Sequence, residues 1–409
     1  MGLQAELGCP QCGAPVALDE ADRLVTCPFC KVTTFLAAKS YHFVLPPKER
    51  GEELVFAPYL RCKGVVYCAT ATEIVHRIAD VTSRGVPMPA LPISLGVRPQ
   101  AMRLCFAEPG MGAFLKNSAT VAEAIAGVSR ALTLGAGEVR HLCLIGETIS
   151  RIYLPLAIRR DQAYDAVTGD LLGRLPTDRD LFSQVRDPGF NWQPQPLAAL
   201  CPQCGWNLDG DPASVVLLCR QCDSAWQAAS TGYGQVEVGG VAVKGGGAGE
   251  DGVSLPFWRM EVEAGQEGAR FRTRADYARL CGHPLGRTAG EDEPYACWSP
   301  AFKVRPKIFL QAGRQLTFSQ PRPDEPQALS RSCQPVTLPL AEAAEAIPLI
   351  LVSAASRQRE LLALLPRLTF RVTRATLVFI PFQVTFHDYV QPELQVSINR
   401  KAMEFGSAL

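Results

Sequence analysis

The sequence predicts a β-rich α+β protein built as a tandem duplication of about 200 residues, each half opening with a small four-cysteine module and continuing into a β-rich domain with short helices. Three observations carry this. A C-x2-C, fourteen-residue gap, C-x2-C pattern occurs at Cys9, Cys12, Cys27 and Cys30 and again at Cys201, Cys204, Cys219 and Cys222. A set of short motifs follows each copy in the same order. Between the motifs, runs of β-branched and aromatic residues outnumber stretches with helical spacing.

Residues 1–38 form the first module. Two residues between cysteines let both sulfurs of a tight turn face one ion, and two such turns supply the four thiolates that tetrahedral zinc prefers. Cys9-Pro10-Gln11-Cys12-Gly13 returns as Cys201-Pro202-Gln203-Cys204-Gly205, and both modules resemble the zinc-ribbon family. The resemblance covers about twenty-five residues at each site and implies two structural Zn2+ ions, one per ribbon. Val32, Phe35 and Leu36 supply apolar cover for a module too small to have its own core. Rubredoxin-like iron is the alternative metal. The first knuckles suit it, but Cys27-Pro28-Phe29-Cys30-Lys31 and Cys219-Arg220-Gln221-Cys222-Asp223 lack its glycine, and the gap is shorter.

Residues 39–195 form the first β-rich domain. Leu54 to Tyr67 reads as a hairpin turning at Gly64, which would place Cys62 and Cys68 on its two arms. Val97-Arg98-Pro99 precedes a strand-like segment, Val121 to Ala126 is an Ala-rich helix, and Ile152-Tyr153-Leu154-Pro155-Leu156 is a strand interrupted by proline. A proline donates nothing to a ladder and belongs at an edge or bulge. Asp165 stands beside Thr168-Gly169, where an aspartate caps a hairpin. The boundary falls in Phe190 to Pro196, a proline-rich linker.

Residues 196–230 are the second ribbon, 231–252 a Gly-rich loop, and 253–409 the second β-rich domain. Pro58-Tyr59-Leu60-Arg61-Cys62 aligns with Pro256-Phe257-Trp258-Arg259-Met260, and Val304-Arg305-Pro306 with the earlier Val-Arg-Pro. Leu340 to Ala346 matches the Ala-rich helix. Val378-Phe379-Ile380-Pro381-Phe382 matches the proline strand, and Asp388 to Leu394 the hairpin. Arg61 and Arg259 each read as a member of an ion pair or as a stacking partner on a β-surface. Trp206 and Trp226 flank the second ribbon's knuckles, either as interface anchors or as cover for its hairpin.

Fifteen cysteines in 409 residues would suit a disulfide framework, but the number is odd and eight have metal-ligand spacing. Thiolates kept for metal imply a reducing compartment, and the location expected is cytoplasmic. No signal peptide and no apolar run of transmembrane length are read. Cys105, Cys143 and Cys333 read as core. Cys281, His283 and Cys297 are candidates for a third metal site, without a regular four-ligand pattern.

A net charge of +1 offers polyanions no long-range attraction. Between its outer cysteines the first ribbon sets Arg23 against Asp19, Glu20 and Asp22, and the second sets Arg220 against Asp209 and Asp211. Phosphate binding requires Lys and Arg, so nucleic acid is disfavoured and protein partners are expected. None of the five histidines stands in a catalytic motif, and no nucleophile elbow or phosphate loop occurs. The function expected is therefore non-catalytic: a zinc-binding adaptor, assembly factor or complex subunit. A nucleic-acid-associated factor is the first alternative, and an enzyme or iron protein the second.

Overall fold

The computed structural model describes residues 4–37, 41–48, 54–108, 110–131, 138–174, 194–229, 232–241, 252–266, 269–282, 290, 292–324, 330 and 332–406. The chain divides into two compact units. One comprises Met1–Gly64, Ala79–Ala131 and Glu147–Ala199, and the other Val65–Ile78, Leu132–Gly146 and Leu200–Leu409. Both are β-rich with a few short helices.

The first unit begins with β1 (Gln4–Gly8), β2 (Pro15–Asp19), β3 (Leu24–Thr26) and β4 (Thr33–Ala37), the strands of the first ribbon. In β2 the period-2 alternation buries Val16 and Leu18 and leaves their neighbours in solvent. Next come β5 (Tyr41–Val44), β6 (Leu54–Ala69), β7 (Ile74–Arg84), α1 (Arg98–Ala101), β8 (Arg103–Phe106), β9 (Ala113–Phe114) and α2 (Val121–Ala131). The series closes with β10 (His141–Arg159), β11 (Gln162–Asp165), β12 (Leu171–Arg174) and β13 (Gln195–Ala198), although Val65–Ala69 of β6, Ile74–Ile78 of β7 and His141–Gly146 of β10 count to the second unit. The main sheet runs β12-β11-β10-β5-β8-β1-β2, and β6 pairs with β7, β9 and β10. Because β1 lies parallel to β8, the ribbon's first hairpin is an extension of this sheet. Val16, Leu18, Cys27 and Leu36 accordingly belong to the same buried cluster as Phe43, Leu104, Ile152 and Leu154.

The second unit contains β14 (Val216–Cys219), β15 (Ser224–Ala229) and β16 (Gly232–Val236), a separate three-stranded sheet carrying the second ribbon. Its body comprises β17 (Val238–Val241), β18 (Gly252–Gln266), β19 (Ala269–Phe271), α3 (Arg274–Cys281), β20 (Ala296–Pro300), α4 (Pro306–Ser319) and β21 (Pro323–Asp324). Then follow α5 (Leu340–Glu345), α6 (Ile347–Ala354), α7 (Gln358–Leu364), β22 (Thr369–Val384), β23 (Asp388–Gln391), β24 (Val396–Asn399) and α8 (Arg400–Gly406). The spine is the antiparallel pair β18 and β22, in register from Gly252 opposite Gln383 to Gly265 opposite Thr369, with a bulge at Glu261/Val262. Helix α6 is apolar around nearly its whole circumference and is correspondingly buried. Trp258 and Trp298 are fully buried in the same core, and the Trp258 indole donates to Leu338 O at 2.9 Å.

Three readings of the sequence change. Leu54–Ala69 is one continuous strand, and Gly64, at φ 151°, lies inside it without turning the chain. A local β-pattern with one glycine fits a hairpin and a long strand equally well, and only the pairing partners decide. The end of the proline-rich linker, Gln195–Ala198, is a strand added to β4, while 190–193 lie outside the described residues. The Gly-rich segment opens with β16 and β17, whose Gly239 places its Cα where an added Cβ would meet Thr376 Cγ2 at 3.1 Å, and 242–251 lie outside the described residues.

The prolines of the long strands β6, β10, β18 and β22 share one geometry. The carbonyl of Pro58 accepts from Gly85 N, just past the end of β7, and that of Pro155 from Ala166 N, just past β11. Pro256 O accepts from Ala301 N, just past β20, and Pro381 O from the side chain of Gln391, the last residue of β23. Within a strand the N–H and C=O of one residue face the same neighbour. Each missing N–H therefore falls where the adjacent strand has ended, so prolines in long central strands leave no ladder bond unmade.

Candidate metal centres

Each cysteine pair is presented by a tight turn. In the first ribbon Gly13 N donates to Cys9 O at 2.8 Å and Lys31 N to Cys27 O at 3.0 Å. In the second, Gly205 N donates to Cys201 O at 2.9 Å. Such turns need a left-handed residue just after the second cysteine. Gly13 (φ 72°) and Gly205 (φ 74°) supply it at no steric cost, whereas Lys31 (φ 63°) and Asp223 (φ 50°) adopt it with a side chain.

The turns bring all four sulfurs of each set within 4.8 Å of one another. Cys9 and Cys30 are 3.7 Å apart, as are Cys12 and Cys27. Cys201 and Cys222 are separated by 3.7 Å, and Cys204 and Cys219 by 3.4 Å. A disulfide would require about 2.05 Å. A tetrahedron with metal–sulfur bonds of about 2.3 Å has edges of about 3.8 Å. The donor set and its spacing thus fit a tetrahedral thiolate-bound ion at both sites, and four protein ligands fill that shell.

The protons are unequally shared. The amide of Cys30, with that of Phe29, stabilises the Cys27 thiolate against burial and brings its pKa down to about 6. At Cys201 burial opposes ionisation, but the amides of Cys204 and Gln203 outweigh it, and the thiol again falls to about 6. The Ala14 amide favours the Cys12 thiolate, yet burial and the surrounding sulfurs push that thiol up to about 11. Cys204 behaves likewise: the Trp206 amide pulls down, while burial and three sulfurs raise it to about 12. A cation contributes the positive charge that lets all four ionise together.

Among the described residues only these two sets bring three or more such ligand groups together. Cys281 ends α3 and Cys297 lies in β20, both fully buried, and burial pushes each thiol up to about 12. His283, the third member of that candidate site, lies outside the described residues. Cys62, Cys68 and Cys143 are buried, as core cysteines are, but Cys105 is exposed and Cys333 only half-buried.

The two tryptophans of the second ribbon separate. Trp226 is buried and its indole donates to Ser224 Oγ at 2.7 Å, so it covers the hairpin. Trp206, next to the first knuckle, is 59% exposed. In the first ribbon Phe29, at the tip of the second knuckle, is 66% exposed. Its signal in the sequence was an aromatic residue between two cysteines of metal-ligand spacing, where packing has no claim on it.

Arg61 is not on a surface. It is fully buried, forks onto Asp80 through two bonds of 2.8 Å, and bonds Glu20 of the first ribbon. Lys63 stands 3.4 Å from the other Glu20 oxygen. Arg259 pairs with Glu261 at 2.8 Å. Asp165 does cap its hairpin: Oδ1 accepts from Val167 N at 2.9 Å and Oδ2 receives the Arg98 guanidinium. Glu20 and Asp80 were invisible as partners in the sequence because they lie 41 and 19 residues from Arg61. Among the described residues no helix is long and apolar enough to cross a membrane.

No protein-family model matches the chain, and no curated protein or solved structure does.

Proposed function

We propose that this chain is a non-catalytic, zinc-binding adaptor, assembly factor or complex subunit that makes protein–protein contacts through its two ribbons, in the reducing environment of the cytoplasm. The observation that carries this reading is a closed four-thiolate centre in each ribbon with an exposed aromatic at a knuckle, Phe29 in one and Trp206 in the other. A closed centre offers substrate no coordination position. Exposed aromatics held on rigid turns are suited to anchoring an interface, since burying one contributes much area at little conformational cost. The acidic residues around both centres favour a protein partner over nucleic acid.

We further read the two halves as tandem copies. In each, a short strand parallel to a long proline-bearing strand follows the ribbon: β5 beside β10, and β17 beside β22. In each, that long strand also pairs with another carrying a proline, β6 or β18, and continues into a two-strand meander, β11-β12 or β23-β24. A helix opening on Val-Arg-Pro lies between the long strands both times. Duplication would give one chain two related surfaces, suited to bridging two copies of a partner.

Purification of the native chain and of a Phe29→Ala/Trp206→Ala variant from host cells, with elemental analysis of both, tests the reading. The expected result is two zinc ions in each and a protein partner that the variant no longer retains. Retention of every partner by the double variant, or turnover of a substrate by the purified chain, would overturn it.

A further inference from the structure

The two metal centres are alike in their sulfurs and unlike in what stands beside them. Ser224, the first residue of β15, places its Oγ 3.0 Å from Cys222 Sγ and 3.8 Å from Cys201 Sγ. The same oxygen accepts the indole proton of Trp226 at 2.7 Å. An indole N–H is a donor only, so the hydroxyl oxygen is the acceptor in that bond and its own proton is left to point at sulfur. Ser224 and Trp226 are both buried, and a hydrogen bond to a thiolate is stronger where water does not compete. Trp226 also fixes the rotation of the hydroxyl, so the donor needs no reordering when metal arrives. In the first ribbon the residues at the same offsets from the last cysteine are Val32 and Thr34. The Val32 side chain has no proton to give and is substantially exposed.

We propose that Ser224 is a positioning residue that donates to the Cys222 thiolate and makes the second centre the slower to release its metal, so that the first ribbon empties before the second. The chemistry is charge balance. Four thiolates around a divalent cation leave a net charge of −2, and each donor aimed at a sulfur offsets part of it without competing for the metal. Outer partners of metal ligands typically change metal affinity by about 10- to 100-fold. The consequence is a division of labour: the second centre is a permanent brace for β14 and β15, and the first is the one that responds to chelators or metal scarcity.

This inference rests on the reading of both clusters as metal centres, and its test separates the two. Full-length chains with Cys9→Ser/Cys12→Ser keep only the second centre, and chains with Cys201→Ser/Cys204→Ser only the first. Each is loaded with Co(II), and loss of the thiolate-to-cobalt absorption is followed after adding excess EDTA. The first centre is expected to empty at least about 10-fold faster than the second. Adding Ser224→Ala to the second-centre chain should remove that difference and shift the charge-transfer band, and Ser224→Thr should restore both. Trp226→Phe, which keeps the hydroxyl but frees its rotation, should give an intermediate rate, and it reads the same relay should Ser224→Ala fail to fold. Equal release from the two centres, or an unchanged rate with Ser224→Ala, overturns the role of Ser224 alone. Absence of any cobalt–thiolate band in both single-centre chains overturns the metal reading with it.

Discussion

At the scale of single residues, the knuckles are where local conformation and metal binding meet. Lys31 holds φ 63° at a position where its counterpart in the first knuckle is Gly13. Its side chain is exposed, so replacing it removes left-handed strain and little else. Lys31→Gly is expected to stabilise the metal-loaded protein by about 1 kcal/mol, readable as a raised midpoint in thermal or urea unfolding. A lowered midpoint would mean that the lysine side chain is engaged in something beyond the turn. Asp223 should gain less from the same change, because aspartate tolerates the left-handed region better than lysine does.

Elements, rather than residues, decide how firmly each ribbon is held. The first is joined to the main sheet through β1 beside β8, carries β13 on β4 in a separate three-stranded sheet, and is fastened by the buried ion pair from Glu20 to Arg61 of β6. Breaking a buried pair strands the surviving charge. Glu20→Ala should therefore destabilise the first unit by about 3 kcal/mol, less than a complete loss of pairing because Asp80 still holds Arg61. A urea titration giving a difference below about 1 kcal/mol would show that the pair is no clamp. The second ribbon keeps its own three-stranded sheet and is tied instead through Val216 bridged to Val336 and Arg220 bonded to Ser330 O. Parts of this layout were legible beforehand. Alternating patterns announced the strands and the Ala-rich stretches announced α2 and α5, while the hairpin at Gly64 proved to be a single strand because its partners β7, β9 and β10 arrive from later in the chain.

For the molecule as a whole, the buried clusters of both units include residues of their ribbons, so metal binding and unit stability are linked. Val16, Leu18 and Leu36 belong to the core of the first unit, and Val216, Leu218 and Ala225 to that of the second. Removing the metal should lower the melting temperature of the intact chain rather than loosen the ribbons alone. The direction with pH follows from the thiols. Cys27 and Cys201 ionise near about 6, but Cys12 and Cys204 hold their protons to about 11 and about 12, so at pH 7 each metal-free cluster retains at least one proton that a metal must displace. Affinity should rise with pH and fall on acidification, with at least one proton released per ion bound, measurable with an indicator dye in weak buffer. Binding without proton release would show that the clusters are already ionised.

The sequence by itself determined the two four-cysteine clusters that could each hold a metal ion, because a two-residue spacing closes a turn whose geometry depends on nothing distant. It also indicated a β-rich chain with short helices, since side-chain periodicity is a local property. Only the tertiary structure decided that Arg61 is buried between Glu20 and Asp80, that Trp226 covers while Trp206 is exposed, and that Ser224 Oγ lies against Cys222 Sγ. Those are facts about which segments meet and which side chains water reaches, and they follow from packing across the chain, which no short stretch of sequence encodes.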